Sequence, residues 1–595
     1  MLVLSKTARI HYAVPMENNN LILAVVLSLL ILLGFQYFYA KPQPTQIPQQ
    51  ALQQPGQPAK PGGAENVTTL RERAIVVKED PRLPIVTSEL RGSINLKGAR
   101  IDDLALTHYH ETIDPNSPAV TLLSPAGSAA PYLAYYADFS WLSDGDAVPV
   151  PTAQSEWKAA GKTLTPDHPV TLSWNNGKGL VFERIVSIDN DFMFTLTDRV
   201  RNTGANPVTL YPFGLIARQG LPPEMMGAAQ GRNTGSSSRI LHQGPLGVFN
   251  GTLDEYTYKK LMDDGKKTIE SKGGWLGMTD KYWLIAMVMP SDEGFTAEFN
   301  YNGTGQTDPN FGYFQTDFRS NGVVVAPGSV AEHKAMLFAG AKRVRLLDHY
   351  ANSDNIPHFD RAIDFGWFYF LTKPFLYLLD YLSQTLGSFA FAILIFTVML
   401  KLVTLPLTLK SSHSMSKMKA LQPEMKRIQE RFKDDKVRQS QEMMELYKRE
   451  KVSPLSGCVP TMIQIPIFFA LYKVLYVGIE MRQAPFYGWI HDLSAPDPSS
   501  IFTLFGMVPW TPPAALQIGV WPVLMGCSMF LQQRLSPQPP DKSQARMFAF
   551  LPIMFTYMLR NMPAGLVIYW TWSNLLSIVQ QWYIMRQDLK RQGKV

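Results

Sequence analysis

Residues Phe389–Leu409 have the sequence FAFAILIFTVMLKLVTLPLTL, an apolar run that contains a single charged residue, Lys401. A run of about 20 apolar residues is long enough to cross a bilayer as a helix. A charge inside a bilayer costs roughly 2.5–3.5 kcal/mol on insertion scales, so it usually faces water or a polar partner. At about 1.5 Å per residue, Lys401 would lie roughly 12 Å from the Leu409 end. The run therefore predicts a membrane helix with a hydrated charge; the alternative is a lysine whose long stem only reaches the interface.

The 595 residues are too many for one ordinary domain, and they divide by composition. Residues 65–350 are mixed in polarity, whereas residues 365–585 are dense in Phe, Leu, Ile, Met and Trp. The formal net charge is +7, and residues 410–451 hold a large share of the Lys and Arg. Acidic residues are interleaved with this basic cluster, which makes nucleic-acid binding a weak interpretation and leaves anionic lipid as a partner.

The chain has two cysteines, Cys458 and Cys527, and both fall in apolar segments. Neither lies in residues 65–350, which excludes a disulfide framework for that part of the chain. We expect both to be small buried thiols.

The N-terminal residues 1–40 contain a first apolar stretch, Leu21–Tyr39. It is nearly long enough for a span, and the residues after it lack the small-x-small pattern of signal-peptide cleavage. We therefore predict an uncleaved transmembrane anchor rather than a signal peptide, with Met16 as an alternative initiator. Residues 41–64 are rich in Pro and Gln and predict an extended linker.

Five further crossings are predicted in residues 386–595, which gives six spans in all. They are Phe389–Leu409, Leu455–Ile479, about Ala514–Leu531, Met547–Leu559 and Leu566–Ile584. Basic stretches lie at residues 410–451, 534–546 and 586–594. The positive-inside rule places all three in the cytoplasm if the last two spans form a tight hairpin. Both termini are then cytoplasmic, and residues 65–350 lie on the other side.

Residues 351–385 connect these two parts and include the aromatic stretch Phe365–Leu382. Lys373 and Pro374 interrupt this stretch, and it is amphipathic. We predict a helix that lies in the membrane interface; the alternative is a continuous helix that enters the membrane.

Residues 65–350 show short apolar and alternating runs separated by turn sequences such as Asn176-Gly177. Examples of the runs are Ala74–Val77, Val181–Val186 and Phe192–Leu196. This pattern predicts a β-sandwich. His108 and His110 would share one face of a strand, but two histidines without a third ligand do not make a metal site, so neither a metal nor catalysis is expected here.

Residues 411–453 predict a basic helical hairpin with its turn at residues 433–436. Methionines recur along both arms: Met415, Met418, Met425, Met443 and Met444. Pro423 is expected to bend the first arm. The methionines either pack on the partner arm or form an adaptable surface for varied apolar segments, and both interpretations stay open. The basic face could also meet lipid phosphates or ribosomal RNA.

Polar side chains recur in the spans at depths similar to that of Lys401, in the half of the bilayer nearer the cytoplasm. They are Thr397, Lys401, Thr461, Gln464, Ser573 and Ser577. Ordinary hydrogen bonds between helices, worth about 1 kcal/mol or less each, explain the hydroxyls and the amide. They do not explain Lys401, because no acidic residue lies in any predicted span. A cation without a carboxylate predicts a water-filled groove, to which Met525 and Met529 would add adaptable apolar wall.

Several motifs resemble the YidC/Oxa/Alb family of membrane protein insertases, in its Gram-negative form. They are LQP (421–423), QEMMELYK (441–448), PLxGC (454–458), QxPIF (464–468), RQAPF (482–486), WIHDLS (489–494) and PxGLVxY (563–569). These matches cover the last part of the chain densely. Residues 65–350 match more thinly, chiefly at SKGGW (271–275).

The resemblance implies a periplasmic sandwich of the galactose-mutarotase-like supersandwich type, without sugar chemistry. It implies a five-span core in the bacterial inner membrane, around a groove open to cytoplasm and lipid, with the Sec translocon and the ribosome as partners. The residues it places in the groove or in contact with clients are Thr397, Gln464, Phe468, Tyr569 and Trp570. The family usually has an arginine where Lys401 stands, and a lysine keeps the charge but loses bidentate capture of a carboxylate. A second departure from the family's pattern is extra sequence at residues 501–519, before the fourth span.

We therefore expect a membrane protein insertase and chaperone rather than an enzyme. It would move nascent membrane proteins into the inner membrane through a hydrophilic groove, alone or with the Sec translocon, and without cofactor, metal or nucleotide. The sequence contains no Walker-type loop. A secondary transporter is one alternative, although it should show internal repeats and paired ionisable groups. A membrane-anchored periplasmic folding module is the other.

Overall fold

The structure is a computed structural model, and it describes residues 69–144, 148–223, 225, 241–303, 312–450, 452, 459–503, 508, 510, 512–513, 516–535 and 542–591. All of them belong to one compact unit, residues 58–595. The predicted anchor at residues 21–39 and the linker at residues 41–64 lie outside the described residues.

Seventeen strands are found in the described part of residues 82–341. Their bounds are β1 Arg82–Val86, β2 Leu90–Asn95, β3 Arg100–His110, β4 Ala119–Leu123, β5 Tyr135–Ser143, β6 Lys158–Ala160, β7 Val170–Asn175, β8 Leu180–Ile188, β9 Met193–Asn202, β10 Val208–Gln219, β11 Gly244–Phe249, β12 Thr252–Glu255, β13 Lys266–Thr279, β14 Trp283–Asn302, β15 Tyr313–Ser320, β16 Val323–Val325 and β17 Val330–Ala341. The neighbouring strands pair in antiparallel fashion, as in β8 with β9 and β10 with β15.

Side-chain burial along the strands explains why they form a sandwich. In β8 buried and half-buried residues alternate along the whole strand, because one face points into the core and the other away from it. Strand β10 pairs with β5, β15 and β16, and β17 pairs with β9 and β14, so that the sheet encloses a shared apolar core. The predicted β-sandwich is confirmed. One predicted run is wrong: Ala74–Val77 lies largely in a one-turn helix, of which only Val76 is buried.

The SKGGW sequence marks an irregularity in β13. The pairing of β13 with β14 shifts between Lys272 and Gly274. Gly273 and Gly274 have φ values of +63° and +121°, which side chains rarely adopt. A Cβ on Gly274 would lie 2.1 Å from the Val248 carbonyl oxygen, so the close approach of β11 requires glycine here.

Ten α-helices are found among the described residues. They are α1 Arg73–Val76, α2 Tyr258–Asp264, α3 Val344–Ser353, α4 Tyr369–Leu386, α5 Phe389–Arg431, α6 Lys436–Arg449, α7 Val459–Val477, α8 Val520–Leu535, α9 Lys542–Met558 and α10 Ala564–Arg591. Helix α4 continues through Pro374 and ends at Gly387, whose φ is +68°. The aromatic helix is therefore separate from α5, which begins at Phe389.

Helix α5 runs without a break from the first predicted core span into the hairpin. It contains both Pro406 and Pro423, and neither ends it. Among the described residues, Phe389–Ser412 is the one helical segment long and apolar enough to cross a membrane, with a mean hydropathy of 2.3. Met462–Val477 is a shorter apolar helix.

The sandwich and the helices share one continuous apolar core, and polar contacts join them. Lys473 of α7 forms a 2.7 Å ion pair with Asp364, whose carboxylate also accepts a hydrogen bond from the His242 backbone N–H. Just after α7, the Arg482 guanidinium donates to the carbonyl of His110, at the end of β3, over 2.5 Å. The end of α7 is thus fixed to the sandwich.

Candidate functional site

Lys401 of α5 lies half-buried between helices, and its Nζ donates a 2.8 Å hydrogen bond to Ser577 Oγ of α10. Ser577 Oγ donates in turn to the Ser573 backbone carbonyl over 2.9 Å. Among the described residues, no carboxylate lies within ion-pair distance of the Lys401 ammonium. The charge is therefore held by one neutral hydroxyl, which satisfies only one of its three N–H donors.

A second contact joins α7 to α10. Gln464 Nε2 donates to Tyr569 Oη over 2.9 Å, and the Tyr569 side chain is buried. Phe468, one turn after Gln464, packs against Trp570, the residue after Tyr569, with 4.7 Å between the ring centroids. The amide and the aromatic pair together fix the separation of α7 and α10, which form two sides of the candidate groove.

The other predicted groove residues differ in position. Thr397 is only 1% exposed, and its hydroxyl donates to the Ile393 carbonyl of its own helix, so it does not extend the polar contacts of Lys401. Ser573 is buried, and Met529 is half-buried. Met525 is fully buried, packed in a cluster with Leu559 and Val567. The side chain of Thr461 lies outside the described residues.

Two polar contacts between helices were not predicted from the sequence. The Asn574 side-chain amide donates to Ser528 Oγ of α8 over 3.0 Å, and both side chains are buried. The Trp572 indole N–H donates to the Leu394 carbonyl of α5 over 3.2 Å. The sequence signal for the first contact was Asn574 itself. Neighbouring positions on a helix point in different directions, so a polar residue next to Ser573 indicates a second partner helix.

Apolar side chains cover the outward faces of the helices, while the polar contacts lie between them. Exposed examples are Leu402, Val403, Met462, Ile465, Phe469, Phe550, Ile553 and Val579. Cys527 is also exposed, which corrects the expectation of a buried thiol there. A surface this apolar suits a lipid environment, where burial of polar groups against one another replaces burial away from water.

In the hairpin the methionines are divided between packing and exposure. Met425 is buried, Met418 and Met443 are half-buried, and Met444 is 52% exposed. The arms are joined by a 3.0 Å ion pair between Arg449 and Glu424. The side chain of Met415 lies outside the described residues. Burial therefore differs along the hairpin, and both interpretations of the methionines stay predictions.

Of the two histidines of β3, His110 takes part in structural contacts and His108 is exposed. His110 Nδ1 lies 2.7 Å from the Ser117 carbonyl oxygen, and the His110 carbonyl accepts the hydrogen bond from Arg482. In the part of the chain that the structure describes, no group of three or more His, Cys, Asp or Glu side chains could hold a metal ion.

Comparison with known proteins gives a consistent match over nearly the whole chain. Residues 82–378 match the family model for the YidC periplasmic domain, and residues 381–591 match that for the 60Kd inner membrane protein. The membrane protein insertase YidC of Methylorubrum extorquens (strain PA1) is 47% identical over 607 residues, covering 96% of each chain. That of Bradyrhizobium diazoefficiens is 44% identical over 613 residues, again covering 96% of each.

One similar solved structure is an active YidC insertase with its first transmembrane domain resolved. It is 15% identical, the match covers 95% of this chain and 99% of that chain, and the TM-score is 0.35. A galactose mutarotase related enzyme from Lactobacillus acidophilus covers 44% of this chain and 97% of its own, at 9% identity and a TM-score of 0.29.

The two family models and these relatives, on a β-sandwich followed by helices with apolar outer faces, define the class: a membrane protein insertase with a periplasmic domain. The chain belongs to the YidC family, since these two relatives are 47% and 44% identical over 96% of their length. The resemblance drawn from the motifs is thereby confirmed, and with it the predicted combination of a periplasmic sandwich and a helical region.

Proposed function

We propose that this insertase moves its clients along the groove between α5, α7 and α10, with the Lys401 ammonium as the group that receives the hydrophilic end of the client. The observation that carries the proposal is that, within the described part of the chain, Lys401 contacts one hydrogen-bond partner, the neutral Ser577 hydroxyl. A cation held in this way keeps two donors available for a carboxylate or for water. No nucleotide, metal or cofactor takes part.

The steps follow from these contacts. A nascent chain meets the methionine-rich hairpin, and its hydrophilic head then enters the groove beside Lys401. Because the head is already part of the way across, a shorter apolar distance remains. The apolar segment of the client slides into lipid along α7 and α10, and its transfer from water into lipid supplies the driving force. The membrane potential adds to this for acidic heads.

The topology and partners belong to the same proposal. Six spans, with both termini in the cytoplasm and the sandwich in the periplasm of the inner membrane, place the basic hairpin where ribosomes and anionic lipids are met. The Sec translocon would share clients with this chain. Support comes from the distribution of Lys and Arg and from the apolar faces of the helices.

The test replaces Lys401 by Ala and by Glu and measures insertion of a single-span client with an acidic head. Lys401→Glu should reduce insertion more than about tenfold, because like charges in a groove repel by several kcal/mol. Lys401→Ala should reduce it less, and Lys401→Arg should preserve it. The matched control is a client with a neutral head, which should lose much less with either variant. Unimpaired insertion of the acidic client by both variants would remove the groove charge from the mechanism.

Deletion of residues 65–330 tests the rival folding-module function. We expect most insertion to survive, because Lys401, Gln464 and their partners all lie outside the deleted range. Loss of activity in a correctly assembled deletion variant would favour the periplasmic domain as the active part.

A further inference from the structure

Glu480 lies where three parts of the molecule meet. It is in the short 3₁₀ helix Ile479–Met481, directly after α7, and faces the start of α3. Its Oε1 accepts a 3.4 Å hydrogen bond from the backbone N–H of Val344, the first residue of α3. Its Oε2 is buried and has no hydrogen-bond partner among the described residues. One oxygen therefore contacts the periplasmic side of the molecule, and the other is unsatisfied.

The space around that second oxygen is tightly packed. A Cβ on Gly478 would lie 3.3 Å from Glu480 Oε2, 3.2 Å from Leu376 Cδ1 of α4 and 2.9 Å from the Val474 carbonyl oxygen of α7. The carboxyl group is thus enclosed by α4 and the last turn of α7. An ionised carboxylate oxygen without a donor in such a place is costly, whereas a protonated carboxyl needs fewer partners.

The charged groups around Glu480 act on its ionisation in opposite directions, since Asp380 raises its pKa and Arg343 lowers it. From α4 comes Asp380, which is itself bound to Arg345 over 2.6 Å. From the residue before α3 comes Arg343, whose guanidinium is shared between Glu89 and Asp191.

Two more titratable side chains complete the surroundings. Tyr109 of β3 is part of the same electrostatic cluster, and Arg482, in the segment of Glu480 itself, donates to the His110 carbonyl. Arg343 and Arg482 therefore both bind other groups, although the charge of Arg343 still lowers the pKa of Glu480. Burial, and then the charge of Asp380, raise the pKa of Glu480 to about 7.

We propose that Glu480, in its neutral form, is a positioning residue that fixes the end of α7 against α3, and that its ionisation loosens the contact between the sandwich and the helical part. Helix α7 also carries Gln464 and Phe468, so the residue links the position of the periplasmic domain to one side of the groove. This inference goes beyond insertion itself, and its outcome does not depend on how clients move.

The sign of the pH dependence follows from the direction of the shift. A carboxyl whose pKa is higher in the docked state than its ordinary value of 4.5 stabilises docking fully below about pH 4.5. That stabilisation is lost as the pH rises through about 7. Between these values the ratio of docked to undocked molecules should fall roughly tenfold per pH unit, and it should level off above them.

The experiment measures distances between spin labels at Ile113, in the sandwich, and Tyr487, beyond Glu480 in the helical part, both of them exposed. The full chain is used, with Cys458 and Cys527 replaced by serine. We expect the parent protein to lose the short-distance population between pH 5 and pH 8. Glu480→Gln, which mimics the neutral acid, should keep that population at both pH values.

The control is Glu111→Gln, which removes an exposed carboxylate from the same contact, where the Glu111 backbone carbonyl lies near Arg482. It should leave the pH dependence of the parent unchanged. A pH-independent parent, or a Glu480→Gln variant with the same pH dependence as the parent, would overturn the proposal. Because Gln is nearly isosteric with Glu, the test does not depend on a variant that leaves a cavity.

Discussion

Two cations away from bulk solvent, a buried one in the sandwich and a half-buried one among the helices, are held in opposite ways. Arg184 of β8 has a side chain that is 1% exposed, and it donates to both carboxylate oxygens of Asp198 over 2.7 and 2.8 Å. A third hydrogen bond goes to the Phe139 carbonyl over 2.7 Å. Among the residues that the structure describes, Lys401 has one hydrogen bond, to the Ser577 hydroxyl. Arg184 is therefore neutralised by a counter-charge, whereas Lys401 keeps N–H donors without a partner among the described residues.

The difference indicates that Arg184 contributes to the stability of the fold, whereas Lys401 contributes little to it. A buried charge with a counter-charge and filled donors is part of the folded structure, and removing one partner leaves the other uncompensated. A cation whose only partner is neutral contributes little to stability and is expensive to keep. On our proposal, the presence of Lys401 in an otherwise apolar segment serves the binding of a client's hydrophilic end.

The largest expected effect comes from breaking the ion pair of the sandwich. Arg184→Met leaves the Asp198 carboxylate buried without its partner, so the free energy of unfolding should fall by about 3–5 kcal/mol. Urea unfolding of the full chain, followed by the near-ultraviolet circular dichroism of the sandwich aromatics, measures this change.

The matched control is Arg199→Met on the neighbouring strand β9. Arg199 forms a 2.7 Å ion pair with Glu332, but its side chain is 43% exposed. Loss of this pair should cost at most about 1 kcal/mol. Equal losses of unfolding free energy at the two positions would mean that burial does not determine how much an ion pair stabilises the protein. The comparison with Lys401 would then fail.

The second expected effect has the opposite sign. Lys401→Met keeps the length of the side chain and removes a charge without a counter-charge, so thermal stability in a lipid nanodisc should stay the same or increase, by up to about 2 kcal/mol. Insertion of an acidic client should fall at the same time. A loss of more than about 1 kcal/mol would show that the ammonium is structural and not held for a client.

The sandwich was predictable where its strands are long and alternate regularly. Val181–Val186 lies in β8 as expected, because alternation over a whole strand fixes which face is buried. Ala74–Val77 failed because four apolar residues fit a helical turn as well as a strand. The pairing of β10 with β5 and β15 joins residues far apart in sequence, and no local pattern specifies such partners.

In the candidate site, the sequence identified the charge but not its partner. Lys401 is the one charged residue of its apolar run, and Ser577 was among the polar residues expected at a similar depth. Which hydroxyl the ammonium meets depends on the rotation of α5 against α10, which the sequence does not determine. The Asn574–Ser528 contact was missed for the same reason, since the partner helix of each face is known only once the helices are packed.

The smallest expected effect comes from the hydrogen bond between Gln464 and Tyr569, and it tests whether the space beside Lys401 is wet. A double-mutant cycle with Gln464→Leu and Tyr569→Phe, followed by thermal unfolding in nanodiscs, measures the coupling free energy of the two side chains. Hydrogen bonds between membrane helices average about 0.6 kcal/mol by this method, with about 1.7 as an upper value. We expect a coupling at or below that average, because water in the groove competes for both groups once one of them is removed. A coupling near the upper value would indicate that the contact is dry. In a dry groove the Lys401 ammonium would lack the hydration that its proposed role requires, and its burial would cost the full desolvation free energy.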